Sequence, residues 1–287
     1  LAEPATSWLN KVPYVLKQRV LTAVVLAAVF VGVLFLFPPV VFAFFVAAVM
    51  IVAAWEWANL CHLIRLPSRV AYVAVIAVTT LVLLALHELT YWVELEQILI
   101  FSCVWWAVAL LLIQGYPSSV VLWRSVWVRM AMGGCVLIPA LLSLIHLRNS
   151  PSGHWLIVAV VLLVAAADIG AYFAGRRFGR RKLAPNVSPG KSWEGVAGGI
   201  LAVSLLAAAF AVLRNQPLSL VLAIALPAAL VSVVGDLLES MLKRFRGIKD
   251  SGNVLPGHGG VLDRIDGLVA AVPVFTLAMI LANLQSW

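Results

Sequence analysis

Residues 20–55 read VLTAVVLAAVFVGVLFLF, then Pro38-Pro39, then VVFAFFVAAVMIVAAW, with no Asp, Glu, Lys or Arg in either apolar run. At about 1.5 Å per residue, each run as a helix approaches the ~30 Å of a bilayer's hydrocarbon core. The proline pair breaks the backbone between them. Inside hydrocarbon a backbone has no water to bond, so apolar runs of this length must satisfy their own N–H and C=O groups as helices. The pattern recurs at 70–86, 98–113, 130–147, 155–175, 196–213, 218–235 and 268–284. The whole chain is 63% hydrophobic and 11% charged, with mean hydropathy +1.05. Soluble domains are roughly 45–50% apolar and about 25% charged. The expected fold class is an all-α integral membrane protein, a polytopic bundle of about nine transmembrane helices. The first run exceeds the about 7–15 residues of a signal-peptide core and leads straight into the second, so it is expected to remain in the mature protein.

Cation placement orients the bundle. With the N-terminus in the cytoplasm, 18 of the 20 Lys and Arg residues fall in cytoplasmic segments and only Arg148 and Arg214 fall outside. The positive-inside rule favours this sense. The acidic residues Glu88, Glu94 and Glu96 and the C-terminus then lie on the far side. The net charge of +8 is carried beside membrane spans, where anionic lipid headgroups are the nearer partner, so no nucleic-acid binding is expected. Cys61, Cys103 and Cys135 show no CxxC spacing and read as small packing residues. Trp55, Trp57, Trp92, Trp123, Trp127 and Trp155 stand near span ends, as in an interfacial aromatic belt. We divide the chain into an N-terminal segment 1–19, read as a tag or upstream extension, membrane helices 20–150, and a C-terminal catalytic membrane region 151–287.

Polar residues concentrate in that last region. Residues 240–266, SMLKRFRGIKDSGNVLPGHGGVLDRID, combine cations at Lys243, Arg244, Arg246, Lys249 and Arg264 with carboxylates at Asp250, Asp263 and Asp266, and a glycine-rich turn around His258. This mixture suits an anionic, metal-bound substrate such as a nucleoside triphosphate. Asp263 and Asp266 are three apart, so a helix places both on one face, able to share a cation with Asp236; a helix-capping role is the alternative. Asp236, Glu239, Ser240 and Lys243 fall on one helical face, as part of a site or as a solvated helix end. Asp168 lies inside an apolar span, where a carboxylate costs about 2.5–3.5 kcal/mol. It reads as a metal or substrate ligand in a polar cavity, or as a partner for Arg176.

The segment 185–192, PNVSPGKS, ends like a phosphate-binding loop, but Pro185 stands where such a loop has its first glycine and no strand is expected before it. A soluble ATPase is excluded. What survives is Gly190-Lys191-Ser192 opening a helix and presenting N–H groups and an ammonium to phosphate, against a basic membrane-surface loop. Gly195 and Gly199 read as helix-packing residues. His258 reads as a donor to phosphate rather than a base, because a phosphate-monoester nucleophile is already ionised near neutral pH, with a histidine merely exposed on a turn as the alternative.

Ser240-x-x-Lys243-Arg244, Lys249-Asp250-Ser251-Gly252, Leu255-Pro256-Gly257-His258-Gly259-Gly260 and Leu262-Asp263-Arg264-Ile265-Asp266 together resemble the signature of the phosphatidate cytidylyltransferases (CDP-diacylglycerol synthases). The likeness extends through Asp168-Ile-Gly-Ala-Tyr-Phe and residues 187–194. The N-terminal half resembles the family only as a set of hydrophobic spans. The resemblance implies CTP + phosphatidate giving CDP-diacylglycerol + diphosphate, at the cytoplasmic face of a bacterial inner membrane, with a homodimer as the suggested assembly. It implies catalytic roles for Asp236, Lys249, Asp250, Asp263 and Asp266. Substrate contacts would come from Asp168, Ser188, Lys191, Ser192, Lys243, Arg244, His258, Gly259, Gly260 and Arg264. Mg2+ or Mn2+ would sit on Asp236, Asp263 and Asp266, with a second, monovalent cation a candidate to share these carboxylates. Cations are expected to outnumber acids around the site, since two anionic substrates must meet there. The rival readings are a CTP-dependent lipid (polyprenol) kinase and an ion-coupled transporter built on Asp168. The D-G-x-x-A-R pattern of CDP-alcohol phosphotransferases is absent.

Overall fold

The computed structural model describes residues 6–90, 94–255, 257 and 259–283; Trp92, Pro256 and His258 lie outside the described residues. In chain order the elements are α1 (Thr6–Leu36), α2 (Pro39–Leu60), α3 (Leu66–Thr90), α4 (Leu95–Gln114), the single turn α5 (Val120–Trp123), α6 (Val126–Asn149), α7 (Gly153–Phe178), β1 (Lys182–Ala184), β2 (Ser188–Ser192), α8 (Trp193–Leu213), α9 (Leu218–Arg246) and α10 (Leu262–Leu281). Among the described residues, eight helices are long and apolar enough to cross a membrane, and the apolar stretch Val20–Leu36 of α1 supplies the ninth run. Pro39 begins α2 at a position where its missing N–H costs nothing. The outer faces match only lipid tails, as at Leu201, Leu205 and Val212, which are 62, 64 and 82% exposed.

Small residues set how closely the helices approach. Where α7 crosses α8, a Cβ on Gly198 would run into Ala174 and the Gly170 carbonyl, and one on Gly199 would stand 2.8 Å from the Ala167 carbonyl oxygen. Gly195 and Gly199 therefore do pack helices, as expected of small residues in membranes. Where α9 crosses α10, a Cβ on Gly235 would strike the Asp266 carbonyl and Ala270. The second crossing brings the helices bearing Asp236 and Asp266 together, and α7, which bears Asp168, packs against both of them as well as against α8.

Three expectations need correction. The span expected to end at residue 235 runs on to Arg246 as one helix and stops at Gly247, whose φ of 74° is the left-handed conformation that ends helices. Asp236, Glu239, Ser240 and Lys243 therefore share one helix, as their spacing predicts, and the loop proper begins at 247. A strand does precede Lys191: β2 pairs antiparallel with β1, Ala184 opposite Ser188 and Lys182 opposite Ser192. Trp57 and Trp123 are no interfacial belt but buried core, because each indole N–H finds an internal acceptor, the Arg129 carbonyl at 2.9 Å and Ser119 Oγ at 3.2 Å. Trp127 and Trp155 lie on the surface near the starts of α6 and α7, 77 and 55% exposed.

The C-terminal ends of α2, α7 and α9, the β1–β2 hairpin and the N-termini of α8 and α10 all gather at one end of the bundle, tied by Asn59 Nδ2 to the Ser251 carbonyl (3.1 Å), Arg246 Nε to the Asn59 carbonyl (3.3 Å) and Arg244 Nε to the Val187 carbonyl (3.2 Å). Arg148 stands at the opposite end, donating to the Phe37 carbonyl at 3.0 Å.

Candidate functional site

A cavity of about 500 Å³ opens at the polar end between α7, β2, α8 and α9. Helix α7 contributes Asp168, Tyr172 and Arg176; β2 contributes Ser188, Gly190, Lys191 and Ser192; α9 contributes Asp236. Lys191 Nζ stands 2.7 Å from Asp236 Oδ2, and Ser240 Oγ donates to Asp236 Oδ1 at 3.2 Å. Asp168 lies within electrostatic reach of both Lys191 and Asp236. Its alternative partner is engaged elsewhere, since Arg176 Nη1 donates to the Tyr172 hydroxyl at 2.9 Å. The carboxylate is thus a cavity residue.

The hairpin that carries Lys191 is firmly held. The backbone N–H groups of Arg180 and Arg181 donate to the Glu194 carboxylate (3.1 and 3.2 Å), and the Trp193 N–H donates to the Arg181 carbonyl (2.9 Å). Ser192, expected to face substrate, spends its hydroxyl as the α8 N-cap, accepting from the Gly195 N–H at 3.1 Å. Gly190 and Lys191 lie on β2, directly before the N-cap of α8.

Beside the cavity, the facing ends of α9 and α10 hold a second cluster. Lys243 Nζ bridges Glu239 Oε2 at 2.8 Å and Asp263 Oδ1 at 2.7 Å. Asp263 also accepts from the Ser251 N–H (3.0 Å to Oδ2) and the Gly260 N–H (2.8 Å to Oδ2), so its oxygens are already committed to the loop and to Lys243. Asp266 accepts from the Gly267 N–H at 2.8 Å and lies within electrostatic reach of Asp236, Glu239 and Lys243. Glu239 Oε1 is buried and accepts no hydrogen bond. Across the cavity and this cluster five carboxylates (Asp168, Asp236, Glu239, Asp263, Asp266) face two ammoniums (Lys191, Lys243). The expectation that cations outnumber acids is therefore reversed at the interior and holds only on the rim, where Arg176 and Arg244 are exposed. Among the described residues no three Asp, Glu, His or Cys side chains enclose a metal by themselves.

The structure also brings in a residue that the sequence reading passed over. Glu56 of α2, 2% exposed, accepts from Ser251 Oγ (3.2 Å), the Val261 N–H (3.0 Å) and the Leu262 N–H (2.7 Å). An acid inside AAWEWANL is as unusual as Asp168 in its own span, but ending the expected span at Trp55 placed Glu56 in a connecting loop. Other expected residues are not in the cavity. Lys249 and Asp250 are exposed in the loop. Arg264 is exposed at the edge of a separate, mostly apolar groove between α1, α2 and α10, and a Cβ on Gly259 would meet Asp263 Oδ2 at 3.0 Å. His258 lies outside the described residues. Burial pushes the Cys61 thiol up to about 12, which rules it out as a nucleophile.

The family description "Cytidylyltransferase family" matches residues 17–282. The chain belongs to this family. The match takes in the N-terminal spans, so the likeness is wider than the C-terminal motifs indicated. This family member is 49% identical over 263 residues to the phosphatidate cytidylyltransferase of Pseudomonas aeruginosa, covering 91% of this chain and 95% of that one. It is 42% identical over 283 residues to the phosphatidate cytidylyltransferase of Haemophilus influenzae, covering 91% and 97%. With the Bacillus subtilis enzyme of the same name it shares 42% identity over 140 residues, covering 47% and 52%.

Proposed function

We propose that the protein is a phosphatidate cytidylyltransferase, transferring the cytidylyl group of CTP to phosphatidate to give CDP-diacylglycerol and diphosphate. Full-length similarity to relatives of that name supports the reading. The observation that carries it in the structure is the cavity holding Lys191, Asp236 and Asp168 together at the end of a membrane bundle, where a nucleotide from water and a phosphate on a lipid can meet. Cation placement supports the cytoplasmic side of a bacterial inner membrane for this end.

A phosphatidate oxygen attacks the α-phosphorus of CTP; the new P–O bond forms as the bond from that phosphorus to the bridging oxygen breaks, and diphosphate leaves with the electron pair. Phosphate monoesters have a second pKa near 6, so the nucleophile needs no side-chain base. Lys191 on its fixed hairpin supplies positive charge to phosphate oxygens. The acid-rich interior would repel both substrates unless a cation intervened, and hard carboxylate oxygens around the buried, unbonded Glu239 Oε1 suit Mg2+ or Mn2+. Such an ion takes one or two carboxylates and completes its shell with substrate phosphates and water. Asp236 and Asp266 would hold it, while Asp263 holds the loop. When bound it supplies charge neutralisation at both phosphates and at the leaving diphosphate. A second, monovalent ion beside it would relieve the remaining excess of carboxylate.

The test uses purified protein in phosphatidate vesicles with CTP labelled at the α- or the γ-phosphorus. Lipid carrying only the α-label, with stoichiometric diphosphate, is expected. Lipid carrying the γ-label would instead mark a lipid kinase.

A further inference from the structure

We propose that Glu56 of α2 is a positioning residue for the reaction, holding Ser251 and the start of α10 at Val261 and Leu262 so that Asp266 stands beside Asp236. Helix α10 has no capping side chain of its own, since Val261 occupies the N-cap position. The Glu56 carboxylate takes that part from across the fold, accepting the Val261 and Leu262 N–H groups at the positive end of the helix. Its third donor, Ser251 Oγ, belongs to the residue whose N–H donates to Asp263. Ser251 is thus gripped from both sides, by Glu56 from α2 and by Asp263 from α10, and Asp263 in turn engages Lys243 of α9. Asp266 lies one turn further along the same helix.

The glycines of the loop report the same contact. A Cβ on Gly260 would meet the Ser251 hydroxyl and stand 2.6 Å from Glu56 Oε2; one on Gly252 would strike Glu56 Oε1 and stand 2.8 Å from its Cδ. These two glycines are small because Glu56 occupies the space. Asn59, three residues on, adds a bond to the Ser251 carbonyl, and its own side-chain oxygen accepts from Arg69 Nη2 at 3.2 Å. Helix α2 is therefore a working part of the site rather than a membrane anchor.

The part of this that concerns reaction rests on Asp236 and Asp266 holding the divalent ion. The test is Glu56→Gln in the full-length protein, where an amide NH2 must face an N–H or O–H donor. Residues that orient metal ligands typically change metal affinity or activity about 10–100-fold. We expect the half-saturating Mg2+ concentration to rise at least about five-fold, kcat/KM for CTP to fall roughly 10–100-fold, and the amides of residues 251, 261 and 262 to exchange hydrogen faster than in wild type. Should Glu56→Gln fail to fold, Ser251→Ala, which removes one of the three bonds, is expected to shift the Mg2+ midpoint in the same direction by a smaller factor. Wild-type kinetics and Mg2+ midpoint in the variant would overturn the proposal. So would a rate loss that matches lost folded protein while the Mg2+ midpoint and KM stay unchanged. If wild type needs no metal, it is the ion reading that fails, and unchanged exchange at 251, 261 and 262 then separately overturns the bracing by Glu56.

Discussion

Lys191 Nζ lies 2.7 Å from Asp236 Oδ2 and so closes an ion pair between strand β2 and helix α9. The pair is only partly buried, with side chains 25 and 36% exposed, and such pairs contribute about 0–1 kcal/mol. Little is lost when Lys191 turns from Asp236 to an incoming phosphate and leaves the carboxylate to a cation. Lys191→Ala should therefore lower kcat/KM for CTP by roughly ten- to a hundred-fold, the equivalent of about 1.5–3 kcal/mol for a charge-assisted contact. Its melting temperature should stay within a few degrees of wild type. Lys191→Arg should rescue only in part, because a planar fork replaces a point charge. Steady-state CTP kinetics and thermal unfolding in detergent check both halves.

EDTA should abolish activity and Mg2+ or Mn2+ restore it. Asp236→Asn and Asp266→Asn should each lower kcat on the order of a thousandfold, since several kcal/mol of charge stabilisation are lost. Asp263→Asn should behave differently. It removes a charge from the buried pair with Lys243, and breaking such a pair costs about 3–5 kcal/mol, so this variant should lose thermal stability along with activity. Metal titrations paired with melting curves separate the two classes.

Gly198→Ala should destabilise the protein by about 1–3 kcal/mol, the usual cost of overpacking, because the new methyl meets Ala174 and the Gly170 carbonyl. Gly190→Ala should not, since nothing lies within 4 Å of its Cβ position. Thermal unfolding of the two variants in the same detergent is the comparison.

On a background lacking Cys61, Cys103 and Cys135, a cysteine in place of Arg180 should resist impermeant thiol reagents added to intact cells, and a cysteine in place of Arg148 should react. The reverse pattern would invert the orientation drawn from the cation distribution.

The class of fold was legible because membrane insertion is decided locally: an uncharged run such as 40–55 carries its whole instruction in its own composition. Asp168 and the Asp236–Lys243 face were legible for a similar reason, one as a charge in an apolar span and the other through helical spacing. The strand character of Gly190 and Lys191 was not legible, because the β1–β2 pairing joins residues four and ten apart across a turn that carries no hairpin sequence signal, although Ser192 does open α8 as its N-cap. Asp263 and Asp266 looked equivalent at a spacing of three, yet one is committed to Ser251, Gly260 and Lys243 while the other neighbours Asp236.

The sequence by itself determined the membrane spans, the end of the bundle at which charge gathers, and the family motifs, because hydrophobic run length and side-chain chemistry act residue by residue. Only the tertiary structure decided that Asp263 is already bonded to the loop and to Lys243, and that Glu56 reaches across the fold to the start of α10. Glu56 and Leu262 are 206 residues apart and meet at 2.7 Å. A buried acid is tolerated where enough donors converge on it, and donors from so distant a segment arrive only when α2 and α10 pack together.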